Sequence, residues 1–234
     1  MSSDLSRPKL CVVLVGENSA SLSYIAGKKK ACLEVGIDFE LRQFDITISQ
    51  ADLVREVHTI NTNSAIHGCI VQLPLPQHID ANAIIDQIVA SKDVDGFTRE
   101  NIGSLFLGRP GLMSCTPAGI MRLLEHYNIS LEGKHTVVLG RSAIVGRPLS
   151  LMLMHAGATV TLCHSKTREI EKHTKEADIV IVAIGKSKYL TADMIREGAV
   201  VIDVGINRDT EGKLSGDTDY INILKKAHCS PVPG

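Results

Sequence analysis

The sequence lacks a strong net charge, closely paired cysteines and long apolar runs. Its formal net charge of -1 over 234 residues gives no global electrostatic attraction to nucleic acid or to an anionic membrane. The longest apolar stretches, such as residues 179–184, are far shorter than the roughly 20 residues that cross a bilayer. Residues 1–9 also contain no apolar signal core. We therefore expect a small-molecule partner, and neither a nucleic acid nor a membrane.

The six cysteines are scattered along the chain and include no C-x-x-C pair, a spacing found in many redox and zinc motifs. Several of them lie inside apolar runs, where free thiols commonly pack as small hydrophobic side chains. The histidines are scattered too, and no His/Cys cluster has the spacing of metal ligands. We predict a reducing, cytoplasmic setting and no metal site.

Short β-branched runs alternate with amphipathic stretches, which is typical of parallel strands joined by crossover helices. Most of the runs are apolar on both faces, as a sheet covered by helices on each side requires. In the first half, we predict strands at residues 10–15, 40–44 and 68–73. We predict three helices there: one at 19–35, one that begins after the N-cap Ser49, and one at 80–90. In the second half, we predict strands at 135–139, 159–163, 178–183 and 200–204, and a helix at 148–155.

The alternation stops between Ser91 and Ser114, where glycine and proline accumulate. Thr116 and Pro117 then have the pattern of an N-cap followed by proline at the first helical position. We predict two α/β domains, residues 1–115 and 116–234, the second with a Rossmann-like parallel sheet and a cleft between the two. The length is also compatible with a single domain.

A glycine-containing turn follows the strand at 135–139 and precedes a helix; it reads Gly140-Arg141-Ser142-Ala143-Ile144-Val145-Gly146-Arg147-Pro148. Such a turn directs backbone N–H groups and the positive end of a helix at a pyrophosphate. The spacing departs from G-x-G-x-x-G, because Ser142 replaces the second glycine and one extra residue precedes Gly146. The motif alone is also compatible with a turn that binds nothing, but its strand, turn, helix and strand context favours a dinucleotide.

The end of the next strand favours NADP over NAD. NAD sites usually place a carboxylate about 20 residues after the turn, whereas this stretch reads Cys163-His164-Ser165-Lys166-Thr167. Arg141 in the facing turn can bind a 2′-phosphate through its guanidinium group; alternatively, Lys166 and Arg168 are merely solvated charges. The strand-end loops 183–185 and 204–207 belong to the same site by position, although their glycines could equally form plain turns.

Tyr24 and Lys28 lie four residues apart, on one face of the first predicted helix. The Tyr-x-x-x-Lys pair of short-chain dehydrogenases follows the glycine-rich turn, whereas this pair precedes it by over a hundred residues, so that family does not fit. Taken alone, the pair is a core-boundary tyrosine and a solvated lysine; if it is catalytic, it must face the cofactor from the other domain. Gln72 ends an apolar strand, where a buried amide needs partners. Asp93 and Asp95 could carry chemistry or cap a turn.

Eight motifs occur in one order between Leu10 and Gly234. They are Tyr24-x-x-x-Lys28, Val71-Gln72-Leu73-Pro74-Leu75-Pro76, Lys92-Asp93-Val94-Asp95-Gly96, Cys115-Thr116-Pro117, the Gly140 to Pro148 turn, Cys163-His164-Ser165-Lys166-Thr167, Asp203-Val204-Gly205-Ile206-Asn207 and Pro231-Val232-Pro233-Gly234. Together they resemble the bifunctional methylenetetrahydrofolate dehydrogenase/methenyltetrahydrofolate cyclohydrolase family. The resemblance implies NADP-dependent oxidation of 5,10-methylenetetrahydrofolate to 5,10-methenyltetrahydrofolate and its hydrolysis to 10-formyltetrahydrofolate, in one-carbon metabolism and purine biosynthesis. It also implies a cytoplasmic homodimer, with residues 1–115 as the folate-binding catalytic domain and 116–234 as the NADP-binding domain.

The resemblance also implies residue roles. Lys28 would activate the water that attacks the methenyl carbon, with Gln72 bonded to it, because a lysine desolvated beside a cationic substrate loses stabilisation of its charged form and becomes a usable base. Tyr24 would stack on the aminobenzoyl ring and bond to Lys28, and Asp95 would accept from the pterin. Leu73, Pro74, Pro233 and Gly234 would line the folate pocket. The implied cofactor-binding residues are Gly140, Arg141, Ser142, Ile144, Val145, Gly146, His164, Ser165, Gly185, Gly205 and Ile206.

The chain departs from the family pattern at its ends. Family members have a helix and a strand ahead of Leu10 and continue beyond Gly234 into a long helix, so we expect both ends to be missing, the first domain to expose apolar surface and the folate pocket to be incomplete. Ser114 replaces a proline common before Cys115. Two other functions stay open: an inactive dinucleotide-binding module and a dehydrogenase without hydrolase activity. The presence of Tyr24, Lys28, Gln72 and Asp95 argues against the first, and Lys28 together with Gln72 favours the bifunctional form over the second.

Overall fold

The computed structural model describes residues 7–208 and 212–233. The chain divides into two compact units, Met1–Cys115 (unit 1) and Thr116–Gly234 (unit 2). Each unit is built on a parallel sheet with helices, so the predicted α/β class is confirmed. Within the described ranges, no helix is long and apolar enough to span a bilayer.

Unit 1 contains a three-stranded parallel sheet in the order β2-β1-β3. Its elements are β1 (Lys9–Val15), α1 (Ser19–Glu34), β2 (Asp38–Phe44), α2 (Gln50–Thr62), β3 (Gly68–Val71), α3 (Ala81–Ile85), a 3-10 turn (Ala90–Lys92) and α4 (Arg99–Phe106). The central strand β1 is buried on both faces. Its residues Cys11 and Val13 join one apolar cluster with α2, while Val12 and Leu14 join another with Ile25 of α1. The carboxyl ends of β1 and β3 therefore emerge from a packed core.

Unit 2 contains a five-stranded parallel sheet in the order β10-β7-β6-β4-β5. Its elements are α5 (Cys115–His126, beginning at the last residue of unit 1), β4 (His135–Leu139), α6 (Gly146–His155), β5 (Thr159–Cys163), α7 (Ile170–Glu176), β6 (Ile179–Val182), a 3-10 turn (Ala192–Met194), β7 (Val200–Asp203), the hairpin strands β8 (Asn207–Arg208) and β9 (Leu214–Ser215), α8 (Tyr220–Ile223) and β10 (His228–Cys229). All four residues of β6 are buried, because apolar clusters cover both faces of the sheet.

The free cysteines pack as the sequence analysis expects. Cys11, Cys32, Cys69 and Cys163 are buried. Burial raises the pKa of the Cys11 thiol to about 11 and that of Cys69 to about 12. Thiols with such values stay protonated near neutral pH and are poor nucleophiles, so these two side chains serve the core rather than the chemistry.

The helix predicted over residues 80–90 is shorter than expected and ends at Ile85. Its N-cap is Asp80, which accepts from the backbone N–H groups of Asn82 and Ala83. The Asn61 amide on α2 then bonds to the carbonyl of Gln87 and the N–H of Val89. The Asn61 side chain thus forms the hydrogen bonds that these two backbone groups would otherwise form within a longer helix.

The stretch from Ser91 to Ser114, expected to be irregular, contains the helix α4. Thr98 is its N-cap and accepts from the N–H of Asn101, and Leu105 is buried in its last turn. The expected cap at Thr116 was also wrong, because α5 begins at Cys115 and includes Thr116 in its first turn. The helix α7 was not predicted.

Candidate functional site

Lys28 and Gln72 meet at the carboxyl end of the unit 1 sheet, although they are 44 residues apart in sequence. Lys28 lies on α1, and Gln72 directly follows β3, where its backbone N–H donates to the carbonyl of Val13. The Lys28 ammonium donates to the Gln72 side-chain oxygen, with Nζ and Oε1 3.1 Å apart. The Gln72 amide nitrogen donates to the carbonyl of Leu73 at 2.9 Å. Since its NH₂ group is held this way, the Gln72 oxygen is directed at the amine.

The two carboxylates of the Lys92 to Gly96 loop have different surroundings. Asp93 is almost fully buried and accepts from the backbone N–H of Thr98 at 2.7 Å and from the side-chain amide of Asn101 at 2.9 Å. These bonds tie the loop to the first turn of α4. Asp93 therefore has the turn-capping role that the sequence left open for either carboxylate.

Asp95 is instead a carboxylate in the electrostatic field of Lys28. Burial raises the pKa of the Asp95 carboxyl above its ordinary value, the positive charge of Lys28 lowers it, and the negative charge of Asp93 raises it. Burial also raises the pKa of the Cys115 thiol, and the charge of Asp95 raises it further. The structure thus brings Lys28, Gln72 and Asp95 into one polar cluster.

Lys92, from the same loop, is occupied by the backbone. Its amine donates to the carbonyls of Ile60, Asn61 and Asn63, at nitrogen–oxygen distances of 2.8 to 2.9 Å. These carbonyls lie at the C-terminal end of α2, where a helix leaves such groups without intrahelical partners. Lys92 is therefore a helix-capping residue.

The other residues predicted to line the folate pocket are less buried or make fewer contacts. Tyr24 is 52% exposed on α1, and within the described part of the chain it makes no hydrogen bond to Lys28, whose amine bonds to Gln72. Leu73 is half-buried, whereas Pro74 and Pro233 are exposed. Gly234 lies outside the described residues. The roles predicted for these residues stay predictions.

In unit 2, the glycine-containing turn brings the chain close to itself between β4 and α6. A Cβ atom on Gly146 would overlap the backbone carbonyl of Gly140, so only glycine fits there. Ser142, which replaces the usual second glycine, accepts from the N–H groups of Val145 and Gly146 at 3.1 and 3.3 Å. Its hydroxyl therefore binds the two backbone N–H groups at the start of α6, a role that the second glycine of the standard motif could not fill.

The loop after β5 is ordered by its own hydrogen bonds. The backbone N–H of His164 donates to the Thr167 hydroxyl at 2.9 Å, and the N–H of Lys166 donates to Nδ1 of His164 at 3.1 Å. A ring nitrogen that accepts a hydrogen bond carries no proton, so the proton of the neutral imidazole is on Nε2. His164 is thereby held as a hydrogen-bond donor.

A cavity of about 280 Å³ opens where β4, β5 and β6 end. The predicted residues Gly140, Arg141, His164 and Ser165 line it. Its other lining residues are Leu139, Cys163, Ile170, Ala183, Ile184, Lys186 and Tyr189. Loops at this edge of parallel sheets hold ligands in open α/β folds.

Lys186 and Tyr189 are cavity residues that the sequence analysis missed. The Lys186 ammonium lies 5.9 Å from the centre of the Tyr189 ring, within range of a cation–π contact. They follow the Ala183-Ile184-Gly185 loop. The expectation that loops after parallel strands bind ligands, which pointed to Gly185, could therefore have been extended to them. Ser142, Ile144, Val145, Gly146, Gly185, Gly205 and Ile206 are not among the residues lining this cavity, and their predicted cofactor contacts stay predictions.

Among the described residues, no group of three or more His, Cys, Asp or Glu side chains could hold a metal ion. The polar cluster of unit 1 and the cavity of unit 2 therefore offer amine, amide, carboxylate and backbone groups. Such groups suit proton transfer and the binding of an organic anion.

Family comparisons match both units. The sequence profile described as "Tetrahydrofolate dehydrogenase/cyclohydrolase, catalytic domain" matches residues 1–95. The profile described as "Tetrahydrofolate dehydrogenase/cyclohydrolase, NAD(P)-binding domain" matches residues 114–234.

Individual proteins agree with the profiles. The chain is 51% identical over 228 residues to the bifunctional protein FolD of Methylibium petroleiphilum, covering 97% of this chain and 81% of that protein. It superimposes on the bifunctional FolD methylenetetrahydrofolate dehydrogenase/cyclohydrolase of Campylobacter jejuni with a TM-score of 0.96, 47% identity, and coverage of 97% of this chain and 82% of the other. For the Trypanosoma brucei FolD, solved with NADP and an inhibitor, the TM-score is 0.92, the identity 35% and the coverages 97% and 80%.

Proposed function

Because the chain belongs to the tetrahydrofolate dehydrogenase/cyclohydrolase family, we propose that Lys28 and Gln72 perform its hydrolytic chemistry and that the unit 2 cavity receives part of NADP. The enzyme oxidises 5,10-methylenetetrahydrofolate to 5,10-methenyltetrahydrofolate with NADP and hydrolyses that product to 10-formyltetrahydrofolate. The family resemblance, both activities and the cofactor stated in the sequence analysis are thereby confirmed.

The residues of unit 2 fit a phosphorylated dinucleotide. The close approach of Gly146 to the Gly140 carbonyl leaves the turn without side-chain bulk beside the helix terminus, as pyrophosphate binding requires. The cavity volume, about 280 Å³, is near the lower limit of small-molecule sites, about 300 Å³, so we assign it to one end of the cofactor. Arg141, Ser165 and His164 supply donors for a 2′-phosphate there. When bound, NADP supplies the hydride acceptor of the oxidation.

In the hydrolytic step, we assign Lys28 as the base. Its neutral amine takes a proton from water while the water oxygen attacks the methenyl carbon and the C=N π electrons move to nitrogen; the positive charge of the substrate favours the neutral amine. The C–N5 bond of the adduct then breaks as the hydroxyl loses its proton and N5 gains one, which leaves the formyl group on N10, and the Lys28 ammonium releases its proton to solvent. Gln72 accepts one N–H of the amine and fixes its direction. The support for this assignment is the 3.1 Å bond between the two side chains, formed across two elements far apart in sequence.

The other groups of unit 1 position the folate. Asp95, partly buried and close enough to feel the charge of Lys28, accepts from the pterin ring N–H and amino group. The half-exposed Tyr24 ring stacks on the aminobenzoyl ring. We assign pocket-lining roles to Leu73, Pro74, Pro233 and Gly234.

The remaining parts of the proposal concern the setting of the enzyme. We propose residues 1–115 as the folate-binding catalytic domain and 116–234 as the NADP-binding domain. Gly140, Ser142, Ile144, Val145, Gly146, Gly185, Gly205 and Ile206 would contact the cofactor besides the three donors named above. We also propose a cytoplasmic homodimer that supplies one-carbon units to purine biosynthesis.

Replacing the amine tests the proposal most directly. In Lys28→Met, we expect cyclohydrolase turnover to fall by at least about 100-fold, the usual contribution of a general base, with an unchanged dissociation constant for NADP. Hydrolysis is followed by the absorbance of methenyltetrahydrofolate, and oxidation by NADPH formation in the same preparation. Lys29→Met, at the exposed next position, should keep both rates. A Lys28→Met enzyme that hydrolyses at the wild-type rate contradicts the assignment, and a wild-type enzyme that only oxidises supports the dehydrogenase alternative.

A further inference from the structure

Two buried aspartates, Asp203 and Asp217, occupy the carboxyl edge of the unit 2 sheet. Asp203 ends β7, and Asp217 follows the hairpin strand β9. Neither was singled out by the sequence analysis as a site residue, and neither lines the cavity. A buried carboxylate needs partners that replace its hydration, and the partners of these two lead back to the cavity.

The Asp217 carboxylate binds the loop that follows β6. Its Oδ2 atom accepts from the backbone N–H groups of Ile184 and Gly185 at 2.7 and 2.9 Å, and its Oδ1 atom accepts from the N–H of Lys186 at 2.7 Å. The Asn207 amide supplies a fourth donor at 2.9 Å. Three successive backbone N–H groups that converge on one anion form a nest, and here the protein's own carboxylate fills it.

Asp203 in turn binds the backbone that carries Asp217. Its Oδ1 atom accepts from the N–H groups of Gly205 and Asp217, at 3.0 and 2.9 Å. Its Oδ2 atom accepts from the N–H and the hydroxyl of Thr218, at 2.8 and 2.7 Å. The β7 loop, Asp217 and the β6 loop are therefore connected by two carboxylates in series, which we call the carboxylate brace (Asp203 and Asp217).

Two glycines are needed because the brace fills the space beside them. A Cβ atom on Gly205 would overlap the Asp217 carboxyl, and one on Gly216 would overlap that of Asp203. Gly205 was expected to contact the cofactor, yet its N–H already donates to Asp203. Close packing against a carboxylate is thus a sufficient reason for glycine at this position.

The braced loop forms one wall of the cavity, because Ile184 and Lys186 line it on either side of Gly185. We propose that Asp217 is a positioning residue for NADP: it holds the β6 loop in the cofactor-binding conformation and excludes phosphate from that loop's amide nest. The pyrophosphate is thereby directed to the Gly140 turn. This inference rests on the proposed function, in which the cavity receives part of NADP.

Asp217→Asn tests the inference, because an amide keeps the shape but presents NH₂ hydrogens towards N–H donors. We expect the NADP dissociation constant to rise at least about tenfold, as when buried donors lose their acceptor, while kcat/KM for cyclohydrolase changes less than about twofold. Hydrogen exchange at Ile184, Gly185 and Lys186 should speed up in the same variant. Asp219→Asn is the matched control, since that carboxylate accepts from Asn222, and it should bind NADP like the wild type.

Thr218→Val provides a second route if Asp217→Asn does not fold. It removes one hydroxyl donor to Asp203, and we expect NADP binding to weaken about two- to fivefold. Unchanged NADP binding in the folded Asp217→Asn protein, or in Thr218→Val when the former does not fold, overturns the inference. An equal loss of cyclohydrolase and NADP binding also overturns it. A wild-type protein that does not bind NADP contradicts the proposed function itself, and this result is distinct from the two that overturn the inference about Asp217.

Discussion

The two units differ in the partners of the carboxylates near their candidate sites, which are Asp95 in unit 1 and Asp203 and Asp217 in unit 2. In unit 1, burial raises the pKa of Asp95 and the charge of Lys28 only partly compensates. In unit 2, Asp203 and Asp217 each accept four hydrogen bonds from the protein. A carboxylate with unused acceptor capacity is available to a ligand, whereas a saturated one is part of the scaffold. Burial alone therefore does not identify a binding residue; the completeness of its partners does.

The two candidate sites also differ in what they are made of. Unit 1 presents side-chain groups, chiefly the Lys28 amine and the Gln72 amide. Unit 2 presents backbone turns whose shape depends on the absence of side chains, as at Gly146. Substitutions in unit 1 should change the chemistry, and those in unit 2 should change cofactor binding. Since hydrolysis of the methenyl compound uses no cofactor, an unchanged hydrolysis rate shows that a substitution in unit 2 has left the unit 1 site intact.

The largest expected effect comes from filling the tight turn of unit 2. In Gly146→Ala, the added methyl group overlaps the Gly140 carbonyl, and we expect NADP-dependent oxidation to fall by more than about 100-fold, since misplacing binding groups by about 1 Å has effects of that size. Cyclohydrolase activity should persist.

Gly119→Ala is the control for that experiment, because a Cβ atom there meets nothing within 4 Å and the position is in the helix α5. It should bind NADP normally and be more stable by about 0.5–1 kcal/mol. A Gly146→Ala enzyme with wild-type NADP binding would break the proposed contrast between the units.

A smaller effect is expected from removing Arg141, one of the two cationic side chains that line the cavity. Arg141→Ala removes a guanidinium group that lines the cavity, and we expect the ratio of kcat/KM for NADP to that for NAD to fall about 10- to 100-fold, the value of a charge-assisted hydrogen bond of about 1.5–3 kcal/mol. Arg147→Ala, at an exposed position outside the cavity, should leave the ratio unchanged. An unchanged ratio in Arg141→Ala would show that other groups select the cofactor.

The smallest effect is a displaced pH profile in unit 1. In the proposed site an ionised Asp95 accepts from the pterin and a protonated one loses acceptor capacity, so folate binding should weaken as the pH falls through the pKa of this carboxyl. Because burial raises that pKa above 3.8, the loss should begin at a higher pH than for an ordinary aspartate. The measurement is kcat/KM for cyclohydrolase across the acidic range. Asp95→Asn should lack this acidic decline in kcat/KM. A decline that persists in Asp95→Asn would show that another group titrates there.

The sequence predicted strands β1 to β7 well, because most of them are buried on both faces and leave a clear apolar pattern; the two-residue strands β8, β9 and β10 were not predicted. The strands predicted at 135–139 and 159–163 have the same bounds in the structure. The end of α3 and the whole of α4 were missed. The Asn61 amide replaces helical hydrogen bonds after α3 through contacts that no local pattern indicates. In α4, the N-cap Thr98 and its bond to Asp93, five residues earlier, are local signals that the analysis of this glycine- and proline-containing stretch did not use.

In the candidate sites, too, residues with a local sequence signal were predicted, whereas contacts between distant positions were not. Arg141 and His164 were predicted because they follow strands at one sheet edge, and both line the cavity. Asp217 was not predicted, because it lies 32 residues after the Gly185 amide that it binds and sits beside a short hairpin. Lys28 and Gln72 were paired through the family resemblance, since nothing in their spacing indicates contact.

The anchoring of the Lys92 to Gly96 loop has a consequence for binding. On one side of Asp95, the Lys92 amine is bonded to three carbonyls at the end of α2 and Asp93 to the start of α4. The backbone that leads to Asp95 is thus preorganised, so its conformational entropy is lost when the chain folds rather than when substrate arrives. Fixing the backbone of one residue costs about 1–2 kcal/mol. With Asp95 binding folate as proposed, loosening Lys92 should therefore weaken substrate capture, although the Lys92 amine is bonded to backbone carbonyls.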